Sequence, residues 1–244
     1  MLCGFCLLTS LHGQEIRQYV AKKTVAALKI DGKLNEPEWQ AAVTTEKFIT
    51  PVEGNATRLS TQAKFLWNDT YLYIGFICED TDVWTTITQR DAHLWDGEVV
   101  EIFCDPDGDG LDYLEIQVNP LGTVMDLFMK KPYSVEGKPD FSWDIKNLKA
   151  AVWIDGTINN PNDVDSLWTC EVALPFNELA FAAPSQSFPP HDGDLWRMLV
   201  SRYDYARDSS FVTSCWNQTN ANFHTPSKYG KIIFSKSTVI PIAK

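Results

Sequence analysis

The chain has 244 residues, 44% of them hydrophobic, which is enough apolar material for a substantial core and excludes a disordered polymer. Its formal net charge of -11 is opposite to the clustered Lys and Arg that phosphate backbones and anionic lipid surfaces select, so nucleic acid and membrane-surface partners are excluded. An acidic surface suits divalent cations or neutral ligands such as sugars, and nine Trp, eight Tyr and 13 Phe supply residues that favour strands and offer flat faces to ligands.

In chain order, Met1 to Gly13 carries no charged side chain and holds the apolar run Leu2 to Leu8. It reads as the tail of a secretory signal peptide cut near Gly13-Gln14, with a buried first strand as the alternative. The expectation is an exported protein, periplasmic, on the cell surface or secreted, with one domain over residues 14–244. No later run approaches the roughly 20 apolar residues of a membrane span. Cys3 and Cys6 fall in the leader; Cys78, Cys104, Cys170 and Cys215 lie in apolar runs without metal-site spacing, which predicts buried free thiols and leaves a disulfide pair open.

From Asn35 the residues Asn35-Glu36-Pro37-Glu38-Trp39 have the Pro placement of a helical turn, and Pro175 to Leu179 predicts a second. Between and beyond them the two-residue alternation of strands recurs at Arg58–Trp67, Tyr71–Glu79, Glu98–Cys104, Tyr113–Asn119, Thr123–Met129, Leu148–Asp155, Ser166–Leu174, Leu195–Tyr203 and Tyr229–Phe234. Short strands with turn-rich connections predict an all-β, antiparallel, jelly-roll-like β-sandwich with one or two helical turns.

Two acidic segments bear on metals. Asp105-Pro106-Asp107-Gly108-Asp109-Gly110 opens like a calcium loop, but a helix-loop-helix site needs a Glu at its twelfth position, where Ile116 stands. A hairpin turn is the better reading. Between Glu79-Asp80-Thr81-Asp82 and Trp95-Asp96-Gly97-Glu98, Asp80, Asp82, Asp96 and Glu98 could converge as hard oxygen ligands, or form a solvated loop. Strand parity places Val100, Ile102 and Cys104 on one face and Glu101, Phe103 and Asp105 on the other. If that strand pairs with the next, Glu101 and Gln117 share a polar surface.

Taken together, Ile30-Asp31-Gly32-Lys33-Leu34-Asn35-Glu36-Pro37-Glu38-Trp39, Trp67-Asn68-Asp69-Thr70-Tyr71-Leu72-Tyr73, Trp95 to Phe103, Asn119-Pro120-Leu121-Gly122 and Pro226-Ser227-Lys228-Tyr229-Gly230 resemble, in order, a family 9 carbohydrate-binding module. The resemblance implies a β-sandwich with structural calcium, attached in many members to xylanases, that clamps a sugar between two aromatic rings. It implies Trp95 as one clamp, Glu101 and Asn220 as polar contacts, and Asp80 and Glu98 as acidic positions of the calcium loop. Phe223 stands where sugar-binding members carry a second Trp, and Gln117 where they carry Arg, which removes a rigid fork of donors. His224 is a candidate hydrogen-bonding partner. The resulting expectation is a non-catalytic module for xylan or glucan, working beside a glycoside hydrolase in polysaccharide breakdown. Two alternatives stand. One is a glycoside hydrolase of endo-xylanase type, with Glu101 paired to Glu115 or Asp105. The other is a haem-binding sandwich drawing ligands from His93, His191, His224, Met125 and Met129.

Overall fold

The computed structural model describes residues 15–240; the expected leader, Met1 to Gly13, lies outside them. The elements are β1 (Gln18–Lys23), α1 (Pro37–Ala41), β2 (Thr61–Trp67), β3 (Tyr71–Glu79), β4 (Val99–Asp105), β5 (Tyr113–Val118), β6 (Val124–Met129), β7 (Pro139–Asp140), β8 (Lys149–Asp155), β9 (Leu167–Pro175), β10 (Leu195–Tyr205), β11 (Phe211–Cys215) and β12 (Gly230–Thr238), with short 3-10 turns at Leu94–Asp96, Tyr133–Val135, Phe176–Glu178 and Pro226–Lys228. The strands form one continuous sheet in the order β7-β6-β5-β4-β10-β12-β1-β2-β3-β9-β8, with β11 added beside β10.

Alternation is what folds this ribbon onto itself. Val100, Ile102 and Cys104 of β4, Leu114, Ile116 and Val118 of β5, and Trp196, Met198 and Val200 of β10 pack into one core with Ala63, Phe65 and Trp67 of β2, Phe76 and Cys78 of β3, and Trp168, Cys170 and Val172 of β9. The two halves therefore face each other as the leaves of a β-sandwich, joined through β12 and β1. Pairing is antiparallel throughout except at β1, which runs parallel to β12 and briefly to β2. The expected sandwich is present, and β1 is its departure from pure antiparallel order. Cys78, Cys104, Cys170 and Cys215 are buried free thiols.

Each leaf also carries cover on its outer face. Over β2-β3-β9-β8 lies the segment holding α1, with Leu28, Trp39, Leu66, Tyr73 and Ala173 packed together. Glu171 of β9 anchors it: its carboxylate accepts the backbone N–H groups of Asp31 at 2.9 Å and Gly32 at 2.7 Å and the indole N–H of Trp39 at 2.7 Å. Gly32 has φ +85°, and a Cβ there would sit 2.3 Å from the carbonyl carbon of Val152, so the turn takes only glycine. The Ile30–Trp39 motif thus builds the fold.

The outer face of the first leaf carries a second apolar layer. Val99, Phe103, Tyr113, Met125, Leu127, Met129 and Leu199 are covered by Leu94, Phe223 and Tyr229. This cover is why β4 and β5 are buried on both faces, although their outward residues alternate with core residues in the manner of a half-exposed sheet.

Candidate functional site

A cavity of about 210 Å³ opens on the covered outer face of the first leaf, lined by Trp95, Glu101, Phe103, Glu115, Gln117, Leu127, Tyr133, Tyr203, Ala221, Asn222, Phe223 and His224. Its floor is a row of polar side chains set by register. Gln117 of β5 pairs with Glu101 of β4, and Glu101 with Ser201 of β10. Adjacent residues in such a row point to the same face. Gln117 Nε2 donates to Glu101 Oε1 at 2.7 Å and to Glu115 Oε1 at 2.6 Å, while Ser201 Oγ donates to Glu101 Oε2 at 2.8 Å. The amide is oriented with its nitrogen toward these two oxygens. Its Oε1 is then buried without a partner.

Burial and the neighbouring Glu115 carboxylate push Glu101 well above the usual carboxylate range, because two acidic groups on one floor oppose double ionisation. Glu115 Oε2 lies 3.2 Å from His224 Nε2, without hydrogen-bond alignment. The other ring nitrogen of His224 shares a hydrogen bond of 3.0 Å with the Tyr113 hydroxyl.

The walls are aromatic. Trp95 stacks on His93 with centroids 4.3 Å apart and planes 20° apart, and Phe141 is tilted against it at 6.4 Å. Tyr133 is 44% exposed and meets His224 edge to face at 4.5 Å. Phe223 is committed to packing: it is 7% exposed, lies 6.1 Å from Phe103 and meets Tyr203 edge to face at 5.9 Å.

Of the sugar-contact residues expected from sequence, the structure brings Trp95, Glu101, Gln117, Phe223 and His224 to one cavity. It does not bring Asn220. That residue is exposed with φ +59°, and its N–H is turned to Pro51 O at 2.9 Å; Asn222 lines the cavity instead. Tyr133 and Tyr203 join the walls without having been expected there, and Glu115, expected as the partner of Glu101 in the hydrolase alternative, joins the floor. Glu115 was visible through parity with Gln117, whereas Tyr133 sits on a 3-10 turn outside the alternating runs.

The expected calcium ligands are distributed differently. Asp80 and Glu98 meet, joined by Asp204, but Asp82 is paired with Arg207 at 2.7 Å and Asp96 is exposed. The guanidinium of Arg202 lies between Asp80 and Glu98. Burial pushes Glu98 upward, and the neighbouring Arg202 guanidinium pulls it back down. The Asp105 loop is the expected hairpin turn, its carboxylate accepting Gly108 N–H at 2.9 Å and Gly110 N–H at 3.0 Å. Among the possible haem ligands, Met125 and Met129 are fully buried in the apolar cover, His191 is in an exposed turn near Asp194, and His93 stacks on Trp95.

Comparison with known proteins agrees with this architecture. The model for "Carbohydrate family 9 binding domain-like" proteins matches residues 30–237. A family 9 carbohydrate-binding module from Caldicellulosiruptor kristjanssonii in complex with cellotriose superposes with TM-score 0.59 at 17% identity, over 93% of this chain and 100% of that one. A module from the same organism in complex with glucose gives 0.60 at 15%, over 91% and 97%. A Bacteroides uniformis protein assigned a carbohydrate-binding role gives 0.70 at 13%, over 91% and 100%. No curated protein matches the chain. A family model spanning most of the sequence, on a sandwich shared with these structures, shows that the chain belongs to the carbohydrate family 9 binding domain-like family.

Proposed function

We propose that the chain is a non-catalytic carbohydrate-binding protein that holds one pyranose ring of a glucan or xylan oligosaccharide in the cavity under Trp95, and that it serves polysaccharide breakdown outside the cytoplasm beside a glycoside hydrolase. The observation that carries this reading is the cavity itself, in which the aromatic rings of Trp95, Tyr133 and His224 stand around a polar floor of Gln117, Glu101 and Glu115. Aromatic faces match the C–H side of a pyranose, while carboxylate and amide groups bond its hydroxyls.

At about 210 Å³ the cavity is smaller than the roughly 300–1,000 Å³ of sites that enclose larger ligands, which favours one ring enclosed and the rest of a chain outside. The bound sugars of the two Caldicellulosiruptor modules, glucose and cellotriose, point to the same ligand class. Tyr133 with His224 forms the second aromatic wall in this reading, in place of Phe223.

A hydrolase needs two carboxyl groups flanking the scissile bond. Glu101 and Glu115 instead lie diagonally on neighbouring strands of one floor, both bound to one amide nitrogen, which supports the non-catalytic reading.

Isothermal titration with gluco- and xylo-oligosaccharides tests the reading. Saturable binding to at least one series is expected, with no release of reducing ends on prolonged incubation. A folded protein that binds neither series overturns it.

A further inference from the structure

The family resemblance directs calcium to the loop bounded by Asp80 and Glu98. Those carboxylates do converge, together with Asp204, but on a side chain of the protein itself. We infer that Arg202 supplies the cation of this site, so that the connection between β3 and β4 is held by the chain's own guanidinium and takes no calcium there.

Arg202 is 1% exposed. Its Nη2 is 2.7 Å from Asp80 Oδ2, 2.8 Å from Glu98 Oε1 and 3.6 Å from Asp204 Oδ1. Its Nε donates to Glu98 Oε1 at 2.9 Å, and Nη1 donates to Glu79 O at 2.7 Å. Calcium takes six to eight oxygens at about 2.3–2.6 Å. A metal ion that close to both Asp80 Oδ2 and Glu98 Oε1 would coincide with Nη2. The backbone carbonyl that could complete its shell is taken by Nη1. The remaining oxygens of the two carboxylates are also engaged: Asp80 Oδ1 accepts Asp82 N–H at 2.9 Å and Glu98 Oε2 accepts Tyr205 N–H at 3.1 Å.

The position in the fold gives the exchange its consequence. Arg202 projects from β10 of the first leaf to Glu79 and Asp80 at the end of β3 in the second, and lies 5.8 Å from the Trp168 ring of β9. A planar fork can bridge these groups in fixed directions, and its charge cannot be removed by a chelator. The leaves are therefore tied by a cation whose occupancy is independent of calcium concentration.

Thermal unfolding of the full chain, in EDTA and in millimolar calcium, tests this. The wild type is expected to melt at the same temperature in both. Arg202→Ala leaves buried carboxylates unpaired and should melt lower by roughly 10 °C in EDTA, then recover part of that loss in calcium as the vacated position admits the ion. Arg202→Lys, which keeps charge without the fork, should fall between. A wild-type loss in EDTA that disappears in Glu98→Gln places a metal at this site and overturns the inference, as does an Arg202→Ala protein as stable as the wild type. A calcium response unchanged by Glu98→Gln belongs to another site and supports the assignment. If Arg202→Ala does not fold, the wild type and Glu98→Gln decide between these outcomes.

Discussion

Replacing Trp95 with Ala removes the wall on which the proposed sugar rests while sparing most of the fold. One indole face is already stacked on His93 at 4.3 Å, so the ligand gains at most one face. A whole aromatic side chain buries about 150–250 Å²; one face is roughly a third of that, or about 60 Å². At about 25 cal/mol per Å² this is about 1.5 kcal/mol, and roughly 2 kcal/mol once part of the sugar's own apolar face is included. The expected loss of affinity is about 30-fold by titration with the tightest-binding oligosaccharide. The melting temperature should change little, because Trp95 is only partly buried and the Tyr205 hydroxyl bonds its backbone carbonyl, which Ala retains. A Trp95→Ala protein that binds within twofold of the wild type would refute the placement of the sugar against this ring.

Tyr133→Ala and Phe223→Ala should separate. The first is expected to weaken sugar binding about tenfold with an unchanged melting temperature, and the second to cost about 3 kcal/mol of stability by urea unfolding, since Phe223 fills the apolar cover. Glu171→Leu leaves three N–H donors without an acceptor and should destabilise by about 4 kcal/mol, lowering the melting temperature by roughly 10 °C. Glu171→Gln, which keeps one acceptor oxygen, should lose less. Burial, reinforced by Asp107 and Asp109 and opposed by the Gly110 and Gly108 N–H groups, raises Asp105 to about 7. The folded chain therefore keeps a proton that the unfolded chain releases near pH 4, and stability falls as pH rises between those values, by about 1.4 kcal/mol per unit. Asp105→Asn should make the fall in unfolding free energy between pH 5 and 7 shallower by about 1.4 kcal/mol per unit, the buried Glu98 and Glu101 contributing in the same direction; an unchanged slope would remove Asp105 as a source.

Alternation alone located nine strands, and the bounds of β3 agree residue for residue because Tyr71–Glu79 lies between clear turn signals. β1 escaped because two of its six residues are Lys and it serves as the parallel link between the leaves. β11 escaped because Phe211 and Val212, its most apolar residues, are exposed at the sheet edge, where no alternation against a core is enforced. Parity on β4 and β5 placed Glu101 and Gln117 on one face, and the register confirms their pairing. The loop segments that roof this face, around Trp95, Tyr133 and Asn222 to His224, are far apart in the chain and carry no periodic signal.

The same division runs through the acidic loop. Asp80 and Glu98 stand out in the sequence as paired acids flanking a connection, and the sequence also determines the sandwich, through a two-residue period that each strand carries within itself. Only the tertiary structure decided what those acids hold, because Arg202 lies on a strand more than a hundred residues after Glu98 and reaches them only when the two leaves close. A period is a property of neighbouring residues, legible wherever the chain is read. A site is a meeting of distant ones, and its partners are set by register and packing that no local stretch contains.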